Sequence, residues 1–217
     1  TAINLANNEW IAFLDQDDLW EQDKIEKQWA FIQQNQQCQA IHTAVKVMKN
    51  DKIFAEYSKK KLYLDDFLLA HPNPSYLSST LIKKELIIKS GLFNPILPYS
   101  QDRECFIRCS LYATFYYLDE GLTTRRQHSN NLSGNYYGVW QENIKINRFY
   151  ENQFETPIKY KKALKKLHNQ YFLLALYHRN FRMIKSILTE LKVDGFSRTR
   201  LLIKMFYILI KQKVKQN

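Results

Sequence analysis

The run WIAFLD, residues 10–15, is apolar until its last residue, and QDDLW follows it. Asp15, Asp17 and Asp18 therefore place three carboxylates within four positions, with Trp20 close behind. A short apolar run rich in strand formers reads as a buried strand, here with its C-terminal end at Asp15. In an extended segment residues i and i+2 project to the same side, so Asp15 and Asp17 can aim at one point. Two carboxylates so aimed repel unless a cation sits between them or one holds a proton. A hard divalent ion with oxygen ligands, Mn2+ or Mg2+, resolves the conflict and leaves positions open for phosphate oxygens. Two other readings compete: a solvated loop that caps the following helix, with Asp18 as cap or brace, and a phosphatase-type D-x-D-x-T with a nucleophilic first Asp. The second is incomplete, since Leu19 stands where that pattern wants Thr or Val.

The surrounding pattern alternates. Residues 21–35 space Ile25, Trp29 and Ile32 as an amphipathic helix, and QAIHTAVKVMKNDKIFAEY reads as a hairpin turning at Asn50 and Asp51. LYLDDFLLA is a short helix ended by the two prolines of HPNP. SYLSSTLIKK reads as a strand leading into a helix closed by Gly91, and SQDRECFIRCSLYA as a helix with Ser100 at its N-cap. TFYYLDEGLTTRRQH suggests two strands around an Asp-Glu-Gly turn, and everything from about residue 137 has helical period. Alternation followed by helices predicts an α/β domain with a helical extension.

Charge divides the 217 residues in the same way. Residues 1–149 carry 17 basic and 17 acidic side chains, whereas residues 150–217 carry 15 and 4, the whole of the net +11. A boundary at 149/150 follows. The apolar stretch MFYILI, 205–210, is far short of a membrane span. Cys38, Cys105 and Cys109 form no C-x-x-C pair, which excludes a disulfide scaffold or zinc ribbon and suits reduced thiols in a cytoplasmic location. The opening TAINLANNEW has neither an initiator Met nor signal-peptide order.

NNEWIAFLDQDDLWEQDKIEKQ resembles the G-E-Y-I-A-F-L-D-x-D-D-x-W-x-P-x-K-L-E-x-Q stretch of family 2 glycosyltransferases of the GT-A fold. PSYLSSTLIKKELIIKSGLFN is similar to that family's acceptor-side segment, and RQHSNNLS resembles its R-x-H-x-x-N-x-S, with Arg126, His128, Asn131 and Ser133 in place. The resemblance implies an inverting, metal-dependent transfer of sugar from a nucleotide-diphosphate donor to a glycan or lipid-linked acceptor, as in surface polysaccharide synthesis. It implies Asp17 as direct metal ligand, Asp15 as ribose or metal contact, and His128 as third ligand or phosphate contact. Arg126 would suit phosphate oxygens. The family's acidic pair at a helix start is matched by Gln101 and Asp102, which leaves Asp102 as general base and Glu104 as the alternative. Trp20, Ser79 and Tyr99 fall on the acceptor side, the two aromatics as sugar-stacking or core residues. Family members carry further strands upstream that hold the nucleotide. The resemblance thus implies an N-terminally truncated GT-A sheet, inactive by itself.

KYKKALKKLHNQYFLLALYHRN and FSRTRLLIKMFYILIKQKVKQN alternate apolar positions with Lys and Arg. Such helices either pack on the catalytic domain with their charges solvated or lie on an anionic membrane surface, which would place the protein at the inner face of the cell membrane. A nucleic-acid partner has the same electrostatic footprint, but no recognised module accompanies it. A non-catalytic binding module with a basic tail is the alternative to an enzyme.

Overall fold

The computed structural model describes residues 2–57, 60–69, 75–128, 131, 134–197 and 199. HPNP (71–74), Ser133 and the segment from 200 onward, with its basic and apolar alternation, lie outside the described residues. Two compact units divide the chain, Thr1–Gly134 and Asn135–Asn217. The packing boundary precedes helix α6, Tyr136–Phe149, because α6 packs on α7, Pro157–Tyr177, whatever the charge of the residues between.

The first unit is a mixed α/β layer structure. Its strands are β1 (Trp10–Ala12), β2 (Leu19–Trp20), β3 (Ala40–Lys49), β4 (Lys52–Tyr57), β5 (Leu81–Lys83) and β6 (Phe115–Arg126), in the order β1-β5-β3-β6-β2 with β4 beside β3. Among the described residues β3 and β6 run parallel and the other pairs are antiparallel. The expected hairpin is present, and Asn50 and Asp51 turn it with φ of 49° and 58°. Asn and Asp tolerate this left-handed conformation better than other residues with side chains.

Helices cover both faces of the sheet, and the first in the chain, α1, is the short Ala2–Leu5. On one side Phe31 and Ile32 of α2 (Lys24–Gln34) pack with Ile41, Leu81 and Tyr116. On the other, Phe67 of α3 (Leu64–Leu69) and Phe106 of α5 (Gln101–Ser110) meet Phe115 with ring centroids 4.8 and 5.1 Å away. All three rings are fully buried, a contribution of about 2 to 3 kcal/mol each. The short helix α4 (Lys84–Lys89) ends at Gly91, whose φ of +88° a residue with Cβ would resist.

Three local expectations change. The strand expected to reach Asp15 stops at Ala12, and residues 13–18 form a loop. The two strands expected around Asp-Glu-Gly are one strand, β6, whose register against β3 shifts between Thr43 and Val45. Here the turn-forming residues are accommodated as an irregularity of the ladder. In α2 the buried stripe is Lys24, Gln28 and Ile32, whereas Ile25 and Trp29 are exposed. Polar partners decide that rotation: the Gln28 amide donates to Ser79 O at 3.1 Å, and Lys24 Nζ donates to Gln28 Oε1 at 2.7 Å while lying 4.3 Å above the Trp20 ring.

The second unit is helical, with α6, α7 and α8 (Phe181–Val193). Thr156 caps α7 through the Lys159 N–H, and Asn180 caps α8 through Met183 N–H. Among the described residues, no helix is long and apolar enough to cross a membrane.

Candidate active site

Two short elements fix the acidic loop. β5 pairs with β1 just before the loop, and β2 pairs with β6 just after it, Leu19 opposite Thr124 and Trp20 opposite Thr123. Between these anchors lies the 3-10 turn Leu77–Ser79, and fully buried Ser78 ties it to the loop. Its hydroxyl accepts from Asp15 N at 3.1 Å and donates to the Asp18 carboxylate. Its carbonyl accepts from Trp20 Nε1 at 2.7 Å and from Thr123 Oγ1 at 3.3 Å. Asp18 is buried and also accepts from Arg126 N at 3.2 Å. It is therefore a brace of the loop, as one reading of the sequence has it.

Asp17 faces the residues just beyond the same end of β6. Its Oδ2 meets His128 Nε2 at 2.8 Å and Asn131 Nδ2 at 2.9 Å. Asn131 holds this corner together, since its Oδ1 accepts from His128 N at 2.7 Å. The spacing of R-x-H-x-x-N thus has a local cause: a turn brings the amide back onto the histidine three residues earlier. Arg126 takes part through its backbone, and its side chain is exposed.

Asp15 is where charge accumulates. The residue is solvent-exposed, yet packing around its carboxylate, then the charges of Asp18, Asp17 and Asp102, push its pKa up to about 6, against the opposing Arg125. Asp102, from the first turn of α5, therefore shares one field with the loop although 87 positions separate it from Asp15 in sequence. The guanidinium felt by Asp15 and Asp18 belongs to Arg125, which lies 5.6 Å from the Tyr76 ring centroid. Sequence reasoning named its neighbour Arg126 and missed both Arg125 and Ser78. The Arg-Arg pair and the Ser-Ser pair are each legible, but which member faces the loop depends on the register of β6 and on the 3-10 turn.

The other expected residues are placed as follows. Asp102 Oδ1 accepts from Arg103 N at 2.7 Å. Glu104, the alternative base, is buried and chelated by Arg108 at 2.9 and 2.7 Å, so it serves that ion pair. Ser79 is fully buried, its hydroxyl donating to Tyr76 O at 2.8 Å, so its side chain closes the turn instead of facing an acceptor. Tyr99 is half-buried in the loop just before α5. Trp20 lines a groove with Trp10, Trp29 and Ile25.

The donor chemistry at the loop suits a hard cation: carboxylate oxygens crowd together and one carboxyl is held near 6 by burial and like charge. Among the described residues no three His, Cys, Asp or Glu side chains gather at metal-ligand spacing. A cation held by Asp15 and Asp17 would need its remaining ligands from elsewhere, and His128 meets Asp17 by hydrogen bond.

Comparison with known proteins bears on the fold and on the segment that holds the acidic loop. Residues 1–89 match the sequence model of Glycosyl transferase family 2. The uncharacterized glycosyltransferase MJ1057 of Methanocaldococcus jannaschii is 27% identical over 117 residues, 50% of this chain and 38% of that protein. The crystal structure of S. aureus TarS superposes with a TM-score of 0.52 at 16% identity, covering 79% of this chain and 30% of TarS, a likeness of fold. The chain spans about a third of the length of these two proteins. Asp102, Arg126 and His128 lie beyond the matched residues, while the acidic loop and Ser78 lie within them. Through that segment the chain is similar to glycosyl transferase family 2.

Proposed function

We propose that this chain carries the acidic-loop portion of an inverting sugar-transfer site, working on a nucleotide-diphosphate sugar and a hydroxyl of a glycan or lipid-linked acceptor. The observation that carries this reading is the convergence of Asp15, Asp17, Asp18 and Asp102 on one field just beyond β1, opposed by Arg125. Asp17, oriented by His128 and Asn131, and Asp15 would hold Mn2+ or Mg2+, which supplies Lewis-acid neutralisation of the departing diphosphate. Arg125, and Arg126 with its exposed side chain, suit the phosphate oxygens from the β6 side. Asp102 accepts the proton of the acceptor hydroxyl as its oxygen bonds the anomeric carbon and the bond to the diphosphate breaks. Tyr99 and Trp20 offer aromatic faces for the acceptor sugar. The three free thiols are all buried. They fit a reducing compartment, and we place the activity in the cytoplasm, in the assembly of a surface glycan.

Since the chain spans about a third of its relatives' length, the activity is proposed for a protein that supplies the remainder, with the nucleotide pocket outside these residues. In that protein Asp17→Asn is expected to abolish Mn2+-dependent transfer and donor hydrolysis, and Asp102→Asn to lower transfer while donor binding persists. Undiminished transfer by Asp17→Asn sinks the metal role. Undiminished transfer by Asp102→Asn moves the base elsewhere.

A further inference from the structure

Helix α7 runs for 21 residues without an acidic side chain. Lys161, Lys162, Lys165 and Lys166 are all exposed. At spacings of three and four they are surface neighbours, Lys161 beside Lys165 and Lys162 beside both Lys165 and Lys166, so like charges repel along the helix. The first turn also lacks the acid that the helix dipole favours there. Where this segment does compensate a lysine, it supplies a carboxylate: Lys159 pairs with Glu155. Among the described residues, no ion pair takes up Lys161, Lys162 or Lys165.

The same stripe carries exposed apolar side chains at both ends. Ile158 is 78% exposed one turn before the lysines, and Leu173 and Tyr177, 40% and 76% exposed, follow them. The steps from 158 to 177 through 161/162, 165/166, 169 and 173 are all three or four residues, which keeps them on one face about 30 Å long. The opposite face is consumed by packing, with Leu164, Leu167, Tyr171 and Phe172 buried. A soluble polyanion would use the charge alone and has no need of isoleucine and tyrosine standing in water beside it. A bilayer surface takes both, since lysine stems lie along the interface with their ammonium groups at the headgroups while apolar and aromatic tips enter the acyl boundary.

We propose that this face of α7 docks in the plane of an anionic bilayer surface. The proposal goes beyond sugar transfer and does not depend on it. Contact of this kind is peripheral, resting on four lysines for charge and on Ile158 and Tyr177 for anchorage.

The test is co-sedimentation of the 217-residue chain with phosphatidylcholine vesicles, with and without phosphatidylglycerol. Binding is expected only to the anionic vesicles and should weaken as salt rises. Replacing Lys161, Lys162, Lys165 and Lys166 together by Gln, which keeps helix propensity, should weaken binding by at least about tenfold. Ile158→Ser with Tyr177→Ser should weaken it severalfold and leave the salt dependence in place. Circular dichroism of both variants should retain the parent helicity. Equal binding of the four-glutamine variant overturns the proposal, because the attachment then comes from another part of the chain. Absence of anionic-vesicle binding, or capture by duplex DNA that displaces the chain from vesicles, overturns the lipid partner.

Discussion

In the helical unit, Arg148 donates to Glu190 at 2.6 Å and Asp194 at 2.8 Å, while the second oxygen of Asp194 meets His168 Nε2 at 2.7 Å. At the end of β1, by contrast, Asp15 shares its surroundings with three further carboxylates and is opposed by Arg125, and burial with like charge holds its pKa near 6. In the first group Arg148 and His168 give both carboxylates a partner, and these contacts hold helices together. The second is left with surplus negative charge at an exposed loop, braced by Ser78 so that it cannot spread apart. Charge that a fold pairs with cations serves packing, and like charge that it crowds together marks a candidate functional site.

Four substitutions or conditions would sharpen or break this contrast. The largest effect on stability is expected from Ser78→Ala, which strips a buried donor and acceptor from Asp15 N and the Asp18 carboxylate, a cost of about 2 to 3 kcal/mol; denaturant unfolding with hydrogen exchange at residues 13–20 measures it. A loss no larger than an exposed serine gives would mean that the loop is not braced there. Next, Arg148→Met leaves Glu190 and the largely buried Asp194 without their cation. Because Arg148 is itself partly exposed, about 1 to 2 kcal/mol is expected in a thermal melt of the helical unit.

Acidification separates the two groups further. Burial lowers the pKa of His168 below 6.5 despite Asp194, and its buried Nδ1 has no partner among the described residues for a second proton. The folded form therefore refuses a proton that the unfolded form accepts. Stability of the helical unit is full above pH 6.5 and falls as the pH drops from there toward the folded-state value. A His168→Gln variant should flatten that slope in pH-dependent melts. The smallest effect belongs to Asp15→Asn, which relieves like-charge crowding. It should raise the melting temperature of the α/β unit slightly while transfer in the larger protein is lost, the trade expected of a site that stores strain for function. A lower melting temperature would place Asp15 among the structural carboxylates.

Much of this architecture was legible in the chain. Period and turn chemistry located the β3–β4 hairpin at Asn50 and Asp51, the helices from residue 137, and the acidic loop after WIAFLD. Period alone misjudged α2, since it assigned the buried stripe to Ile25 and Trp29 when paired polar groups on Lys24 and Gln28 occupy it. It misjudged Asp-Glu-Gly as well, because a local turn signal carries no knowledge of the long parallel partner β3 that pulls the chain straight. At the site, the residue types were evident and the choice between neighbours was not. Ser78 over Ser79, and Arg125 over Arg126 for the charge at Asp15, are decided by which way a strand or turn presents alternate side chains.

The sequence by itself determined that carboxylates would crowd at a strand end and that lysines would crowd on a helix, because spacing alone sets which side chains are neighbours within one element. Only the tertiary structure decided which of these charges are answered. Asp102 reaches the loop from another helix, His128 and Asn131 reach Asp17 from beyond β6, and Arg148 finds its acids on α8. Coulomb energy depends on distance through space, and distance between elements is a property of their packing.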